Sequence, residues 1–183
     1  MAHFPGTVIK ADGRDFKSFL DGLFSFGDIS ITQLASATGL LPTTIQNWIN
    51  RGWVGRSKSK GFSIDRVARV LIINALRPAM TLDKIAELLL YLNGDADDTA
   101  DDTVSEKTLY ILMCKSAFNK NLSPKTVDEC VIDAMVGVDL KSAAANKRLY
   151  LALSIMTRAT LSAGLIREIE KDFEKIASGW GKE

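Results

Sequence analysis

Histidine, cysteine and proline are scarce in this 183-residue sequence, and their scarcity excludes several classes of function. The single histidine, His3, lies near the start, and the sequence has no G-x-S-x-G motif, no P-loop and no carboxylate pair with a recognisable partner. We therefore expect no enzyme activity and no cofactor. Cys114 and Cys130 lie in apolar surroundings without a CxxC spacing, which predicts two buried, reduced thiols and no metal site.

Long hydrophobic runs are also missing. The longest, such as residues 109–114, are too short to span a bilayer, and residues 1–15 lack the continuous apolar core of a signal peptide. These absences predict a cytoplasmic protein with no membrane partner. Hydrophobic residues nevertheless make up 46% of the sequence, which is typical of a globular protein.

Charge is distributed unevenly, although the net charge is only +1. Residues 43–77 contain seven basic side chains against one acidic side chain, Asp65. Residues 95–106 contain six acidic side chains and no basic one. This segregation indicates a local basic segment that could meet a polyanion, which the net charge alone would not suggest.

Residues 31–61 have the pattern of two short helices joined by a tight turn. Ser30 is a suitable N-cap for the first helix, Gly39 suits its C-terminal end, and Pro42 suits the first turn of the second helix. Ile45 and Trp48 are expected to point inward. The residues left facing outward are polar: Thr43, Thr44, Gln46, Asn47 and Asn50. A helix that lies in the DNA major groove needs such a composition, although plain helical bundles also contain helices joined in this way.

A basic stretch, GRSKSKG, follows between Val54 and Phe62 and predicts a short β-hairpin with a flexible basic tip. Basic side chains at such a tip can reach DNA phosphates, and a solvated lysine loop is the alternative. The residues expected to hold phosphates are Arg51, Arg56, Lys58 and Lys60.

The remaining segments are predicted to be helical, apart from a loosely held lead-in at residues 1–13. Helical periodicity gives a packing helix after Asp15, two helices between Ser63 and Asn93, and three helices after Val104, the last broken near Gly164. The last helix carries an apolar stripe that could belong to an internal core or to an interface between subunits. We slightly favour the subunit interface. The members of the stripe are Leu149, Ala152, Met156, Ala159, Ala163, Ile166 and Phe173. Residues 94–103 lack the spacing of a calcium loop and read as an acidic linker.

The whole order of features from about residue 30 to residue 92 resembles the DNA-binding domain of MerR-type regulators. More narrowly, it is similar to a group of bacterial proteins that join such a domain to a helical tail. Three features depart from the MerR pattern: Gln46-Asn47-Trp48 replaces Arg-Tyr-Tyr, Leu41 replaces the usual N-cap serine, and the wing is shorter and lacks the common arginine after its glycine-aromatic pair. The matching positions are Ile31, Leu34, Ala35, Thr38, Gly39, Pro42, Thr44, Ile45, Gly52, Phe62, Leu76, Arg77, Thr81, Leu82 and Ile85.

The resemblance implies a mainly α protein with an N-terminal winged helix-turn-helix domain, a short β-hairpin wing and an all-helical C-terminal domain. The expected boundaries are residues 1–93 for the DNA-binding domain, 94–103 for the linker and 104–183 for a dimerisation or effector domain. The implied function is sequence-specific transcriptional regulation by a homodimer that binds double-stranded DNA and pairs through its C-terminal helices. The alternative is a helical protein-interaction module or an excisionase-like architectural module.

The C-terminal helices also leave room for a small-molecule effector held by apolar side chains. Met113, Phe118, Met135 and Tyr150 are the candidates, and ordinary core packing is the alternative explanation of all four.

Overall fold

The fold is mainly α, as predicted. A computed structural model describes residues 3–11, 13, 15–23, 28–56, 61–97, 102–140 and 142–180. Within these ranges the helices are α1 (Phe16–Leu23), α2 (Ile31–Thr38), α3 (Pro42–Asn50), α4 (Ile64–Leu76), α5 (Leu82–Asn93), α6 (Glu106–Ala117), α7 (Val127–Met135) and α8 (Ala143–Gly179).

The predicted β-hairpin wing is wrong. Phe62, expected in the second strand of the hairpin, instead forms an isolated antiparallel bridge with Ile29, just before α2. Its amide donates to the Ile29 carbonyl at 2.8 Å, and the Ile29 amide donates back at 3.3 Å. Val54, expected in the first strand, donates its amide to the Trp48 carbonyl at the end of α3. The two flanks of the basic stretch therefore pair with other parts of the chain, and the described ranges contain no β-strand.

The expectation of a loosely held N-terminus is also wrong for the residues that the structure describes there. Phe4 is buried, and its ring stacks on that of Phe19 in α1 with centroids 4.3 Å apart. Gly6 has a φ of +74°, and a Cβ at that position would lie 2.0 Å from the Leu71 carbonyl oxygen. Asn74 donates its side-chain amide to the Gly6 carbonyl at 2.8 Å. The lead-in is thus packed against α1 and α4.

Helix α4 lies at the centre of the molecule. Residues 67–73 are all buried, so this helix is enclosed around most of its circumference, as expected of a central helix. It packs against α2, α5, α6 and α8, and one hydrophobic core joins the N-terminal helices to the C-terminal ones. The proposed boundaries at residues 93 and 104 stay a prediction.

Helices α6 and α7 contain the two cysteines. Both thiols are free and buried, which confirms that part of the prediction. Burial raises the pKa of the Cys114 thiol far above its ordinary value, so this thiol stays protonated.

The hydroxyls of Ser116 and Thr157 hydrogen-bond each other at 2.7 Å in the interior and join α6 to α8.

Helix α8 runs for 37 residues without the break expected near Gly164. Its buried side chains end at Ala163, and the remainder of the helix extends past the core. By length and composition, residues Ala143–Ser178 could cross a membrane. However, 44% of the most apolar window is buried inside the protein, and long core helices have the same length and composition.

Candidate nucleic-acid interface

The two helices of the central motif form as the sequence predicts. The Ser30 side chain accepts the Gln33 amide at 3.3 Å, and the Gln33 side chain accepts the Ser30 amide at 2.8 Å, which makes a capping box at the start of α2. Gly39 ends this helix with a φ of +70°, and its amide donates to the Ala35 carbonyl. A turn of residues 39–41 then leads into Pro42, the first residue of α3.

Helix α3 has one buried face and one exposed polar face. Ile45 and Trp48 are buried against the core. Thr44 is partly buried, whereas the other residues of the predicted polar face are exposed, namely Thr43, Gln46, Asn47 and Asn50. The structure therefore brings these four side chains together on one outward surface, and the Gln46 amide donates to the Asn50 side chain at 3.1 Å.

The N-terminal end of α3 is open to solvent. Leu41 occupies the N-cap position, has no polar side chain to accept a backbone amide, and is 69% exposed. The first amides of a helix carry the positive end of its dipole and form a suitable site for a phosphate oxygen. This end of α3 can therefore approach a nucleic-acid backbone.

Two of the four predicted phosphate-binding residues can be located. Arg51 is exposed at the end of α3, and its guanidinium lies 5.1 Å from the centre of the Trp53 ring. Arg56 is exposed at the start of the basic stretch. Lys58 and Lys60 lie outside the described residues. The sequence thus identified at least two accessible cations beside the polar face of α3.

Arg66, in the first half of α4, has a structural role that was not predicted from the sequence. Its Nε donates to the Gly55 carbonyl at 2.7 Å, and its Nη1 donates to the Gly61 carbonyl at 3.1 Å. The guanidinium also stacks over Phe62 at 4.3 Å. Partial burial lowers the pKa of Arg66, although the group remains a cation at neutral pH. Arg66 therefore holds both ends of the basic stretch.

Arg69, one helical turn further along, is removed from the surface altogether. It is buried, donates its Nε to the Trp53 carbonyl at 2.7 Å, and pairs through Nη1 with the Glu106 carboxylate of α6. Burial raises the pKa of Glu106, and Arg69 offsets part of that effect. Counting basic residues along the sequence therefore overstated the charge that this segment presents to a partner.

The first residues of the acidic segment, residues 95–97, lie next to the start of the basic stretch. A carboxylate oxygen of Asp97 accepts the backbone amide of Arg56 at 2.5 Å. A Cβ at Gly55 would lie 2.3 Å from the carbonyl oxygen of Ala96, so the two backbones are in close contact. The first residues of the acidic segment therefore lie beside the basic stretch, with Asp95 and Asp97 exposed to solvent.

The four candidate effector-binding residues belong to the helical core. Met113 is fully buried, and Phe118, Met135 and Tyr150 are partly buried. A cavity of about 210 Å³ lies elsewhere, between the basic stretch and the acidic segment. Its lining includes Arg56, Arg66, Arg69, Asp97 and Glu106. An effector therefore stays a proposal without an assigned site.

Comparison with known protein families matches residues 16–113 to a domain of unknown function (DUF1836). The matched segment begins with α1, contains α2 to α5 and ends within α6, which is more than half of the 183 residues. No curated protein and no solved structure matches the chain. The match covers the exposed face of α3, the basic stretch and the buried Arg69–Glu106 pair. The chain belongs to the DUF1836 family.

Proposed function

We propose that this protein is a cytoplasmic transcriptional regulator that binds double-stranded DNA sequence-specifically as a homodimer. The observation that carries the proposal is the exposed polar face of α3, which follows a three-residue turn after α2. Helix α3 would enter the major groove, and no β-hairpin wing takes part. The resemblance of residues 30–92 to MerR-type domains supports the same conclusion.

The side chains divide into two groups by the contact that each can make. Gln46 and Asn47 carry amides that can pair with base edges, for which adenine is the usual partner. Arg51 and Arg56, with Lys58 and Lys60, would bind phosphates and fix the register of the protein on DNA. The open N-terminus of α3 adds a further phosphate contact.

A second candidate function is a helical protein-interaction or architectural module of the excisionase type. The exposed Leu41 beside the polar face of α3 favours it, because a large apolar side chain at the leading edge of a helix suits a protein surface. In the protein-interaction form of this alternative, α3 recognises a protein and not DNA. Selection from genomic DNA therefore distinguishes that form from the proposed regulator.

The test is selection of genomic DNA fragments by the purified full-length protein at moderate salt, followed by sequencing of the bound fraction. We expect a few fragments to be enriched. Asn47→Ala should change the preferred sequence, at a cost of about 1–3 kcal/mol for a lost bidentate base contact. Lys58→Ala should weaken binding to all fragments about equally and reduce the salt dependence.

The matched control is Lys125→Ala, which removes an exposed lysine just before α7, away from the basic stretch in the sequence. It should leave both affinity and preference unchanged. If the wild-type protein enriches no fragment above input, sequence-specific regulation is excluded and the interaction module becomes the better interpretation.

A further inference from the structure

The second half of α8 carries an apolar stripe that no described part of the chain covers. Its members recur at helical steps of three and four, so they share one face of the helix. They are between 51% and 81% exposed: Leu165, Ile169, Phe173, Ile176 and Trp180. Contiguous apolar surface of this kind on a helix typically marks an interaction site.

This stripe shares only Phe173 with the stripe predicted from the sequence on the same helix. Leu149, Ala152, Met156, Ala159 and Ala163 are buried and belong to the internal core, so most of the predicted seam packs within the chain. The same face continues towards the start of α8 with Leu151 and Ile155, which are also exposed. Between the two apolar parts it carries Arg158, which pairs with Asp128 at 3.0 Å, and Ser162. From Leu151 to Trp180 it spans roughly 43 Å at 1.5 Å per residue.

The part of α8 beyond the core needs a partner for its own stability. Isolated helices of this length are marginal in water, since tertiary packing normally supplies most of their stability. The stripe has seven large side chains. If each buries roughly 100 Å², two copies remove roughly 1,400 Å² from water, within the range of stable interfaces.

The charges along α8 are arranged asymmetrically. Residues 143–164 contain Lys147, Arg148 and Arg158 and no acidic side chain. Residues 165–180 contain four acidic and three basic side chains. At 100° per residue, Glu170 and Asp172 flank the exposed stripe on either side, whereas the lysines of this part lie towards the opposite face. The stripe therefore has acidic edges at its far end and basic residues at its near end.

We propose that a second copy of this chain covers the stripe, with the two α8 helices antiparallel and crossing near residue 160. Ile169 then lies opposite Leu151 of the other copy, and Asp172 lies opposite the exposed Lys147 on the same edge of the interface. A parallel pair would place acid beside acid and base beside base, which is unfavourable. Acidic edges also disfavour an anionic lipid surface as the occupant. The inference deepens the proposed function, which requires two copies of α3 in one particle.

Analytical ultracentrifugation of the full-length protein tests the interface itself. The wild type should sediment as a dimer at micromolar concentration, and Ile169→Glu with Phe173→Glu should raise the dimer dissociation constant at least 100-fold. Both residues are exposed, so the circular dichroism spectrum should keep its helical content. The matched control is Val136→Glu on another exposed apolar position, after α7, which should remain dimeric.

Orientation is measured by electron paramagnetic resonance with a spin label on Ser178→Cys, which is selective because both natural cysteines are buried. Antiparallel helices that cross near residue 160 place the two labels roughly 50 Å apart, and parallel helices place them within roughly 20 Å. Lys147→Glu should weaken the dimer roughly threefold to tenfold, and the added change Asp172→Lys should restore it.

A monomeric wild type, a dimer that survives the double glutamate substitution, or a short label distance would each overturn the inference. Co-sedimentation of a monomeric protein with vesicles of phosphatidylcholine and phosphatidylglycerol would overturn it in favour of a membrane. These outcomes are independent of DNA. An antiparallel dimer that selects no DNA fragments supports this inference and refutes the proposed function. A monomer that selects DNA overturns this inference and the homodimeric part of the proposed function, and leaves DNA recognition by α3 in place.

Discussion

Replacing Arg69 by methionine is expected to destabilise the protein strongly, because it leaves the Glu106 carboxylate buried without its cation. Both side chains are less than one tenth exposed. One carboxylate oxygen of Glu106 already lacks a hydrogen-bond partner among the described residues, so the remaining oxygen depends on Arg69 and Asn93. Among the described residues, Arg69 supplies the ion pair of this carboxylate.

The size of the effect follows from these contacts. Removing one partner of a buried ion pair typically costs about 3–5 kcal/mol. The bond from the Arg69 Nε to the Trp53 carbonyl is also lost, and a hydrogen bond of this kind contributes about 0.5–1.5 kcal/mol. Replacing both ionic partners, with Arg69→Met and Glu106→Leu, should recover most of the loss, since a well-packed apolar pair is often as stable as the buried ions.

The pH dependence gives a second signature. Burial raises the folded-state pKa of Glu106 above its ordinary value of 4.5, so the folded state binds this proton more tightly than the unfolded state. This contribution to stability is fully present below the ordinary pKa and is lost as pH rises through the raised pKa. Without Arg69 the folded pKa rises further, and the defect of Arg69→Met should shrink as pH falls.

Urea unfolding at several pH values between about 4.5 and 8, followed by circular dichroism, measures these differences. Arg77→Met is the matched control, because Arg77 follows the same helix and is exposed, and it should change stability by less than about 0.5 kcal/mol. A loss below about 1 kcal/mol for Arg69→Met, or a loss that does not vary with pH, would refute this account of the pair.

Three further changes can be followed by the same unfolding assay. Gly6→Ala should destabilise the protein by about 1–3 kcal/mol because of the backbone conformation alone. The loss should be larger still, because the added Cβ would meet the Leu71 carbonyl. No loss would show that the lead-in is not packed there. Ser116→Ala should cost about 1–3 kcal/mol because the buried Thr157 hydroxyl loses its partner, and a neutral result would argue against the bridge. Leu41→Ser should stabilise by about 1 kcal/mol by capping α3, and an unchanged midpoint would contradict the open N-terminus.

Local signals predicted the helices well. Ser30, Gly39 and Pro42 influence the backbone only three or four residues away. In the structure Ser30 caps the start of α2, Gly39 ends it, and Pro42 begins α3. The exposed face of α3 followed from the same periodicity, because Ile45 and Trp48 fix which side is buried. For this part of the chain, sequence and structure carry the same information.

Contacts between residues far apart in the sequence could not be predicted from local sequence patterns. The flanks of the basic stretch looked like two strands of one hairpin, yet Phe62 pairs with Ile29, which is more than thirty residues earlier in the sequence. Phe4 similarly reaches its partners in α1, Phe16 and Phe19, across a segment with glycine and proline that resembles a loose terminus. Gly164 was expected to break α8, but one helical glycine costs only about 1 kcal/mol and the helix continues.

The sequence around Arg69 indicates that this arginine is buried, although counting charges along the chain treated it as exposed. This arginine lies in the run VARVLII, in which every other residue is apolar, so no orientation of the helix would expose it without exposing the core. A charged residue in such a run indicates a buried partner of opposite charge. Which acid supplies it depends on the packing of α6 against α4, and only the structure identifies Glu106.

The buried pair also bears on how the two proposals fit together. Arg69 links the end of the α3 region, at the Trp53 carbonyl, to Glu106 at the start of α6, and α6 packs against α8. Because Arg69 and Glu106 are buried, a movement of α8 in a dimer would reach the end of α3 through packed side chains. The spacing of the two α3 helices would then be set by the angle at which two α8 helices cross. A substitution that loosens the Arg69–Glu106 pair should therefore broaden the spacing of the DNA half-sites that the dimer accepts, whereas one in the exposed face of α3 should change their sequence.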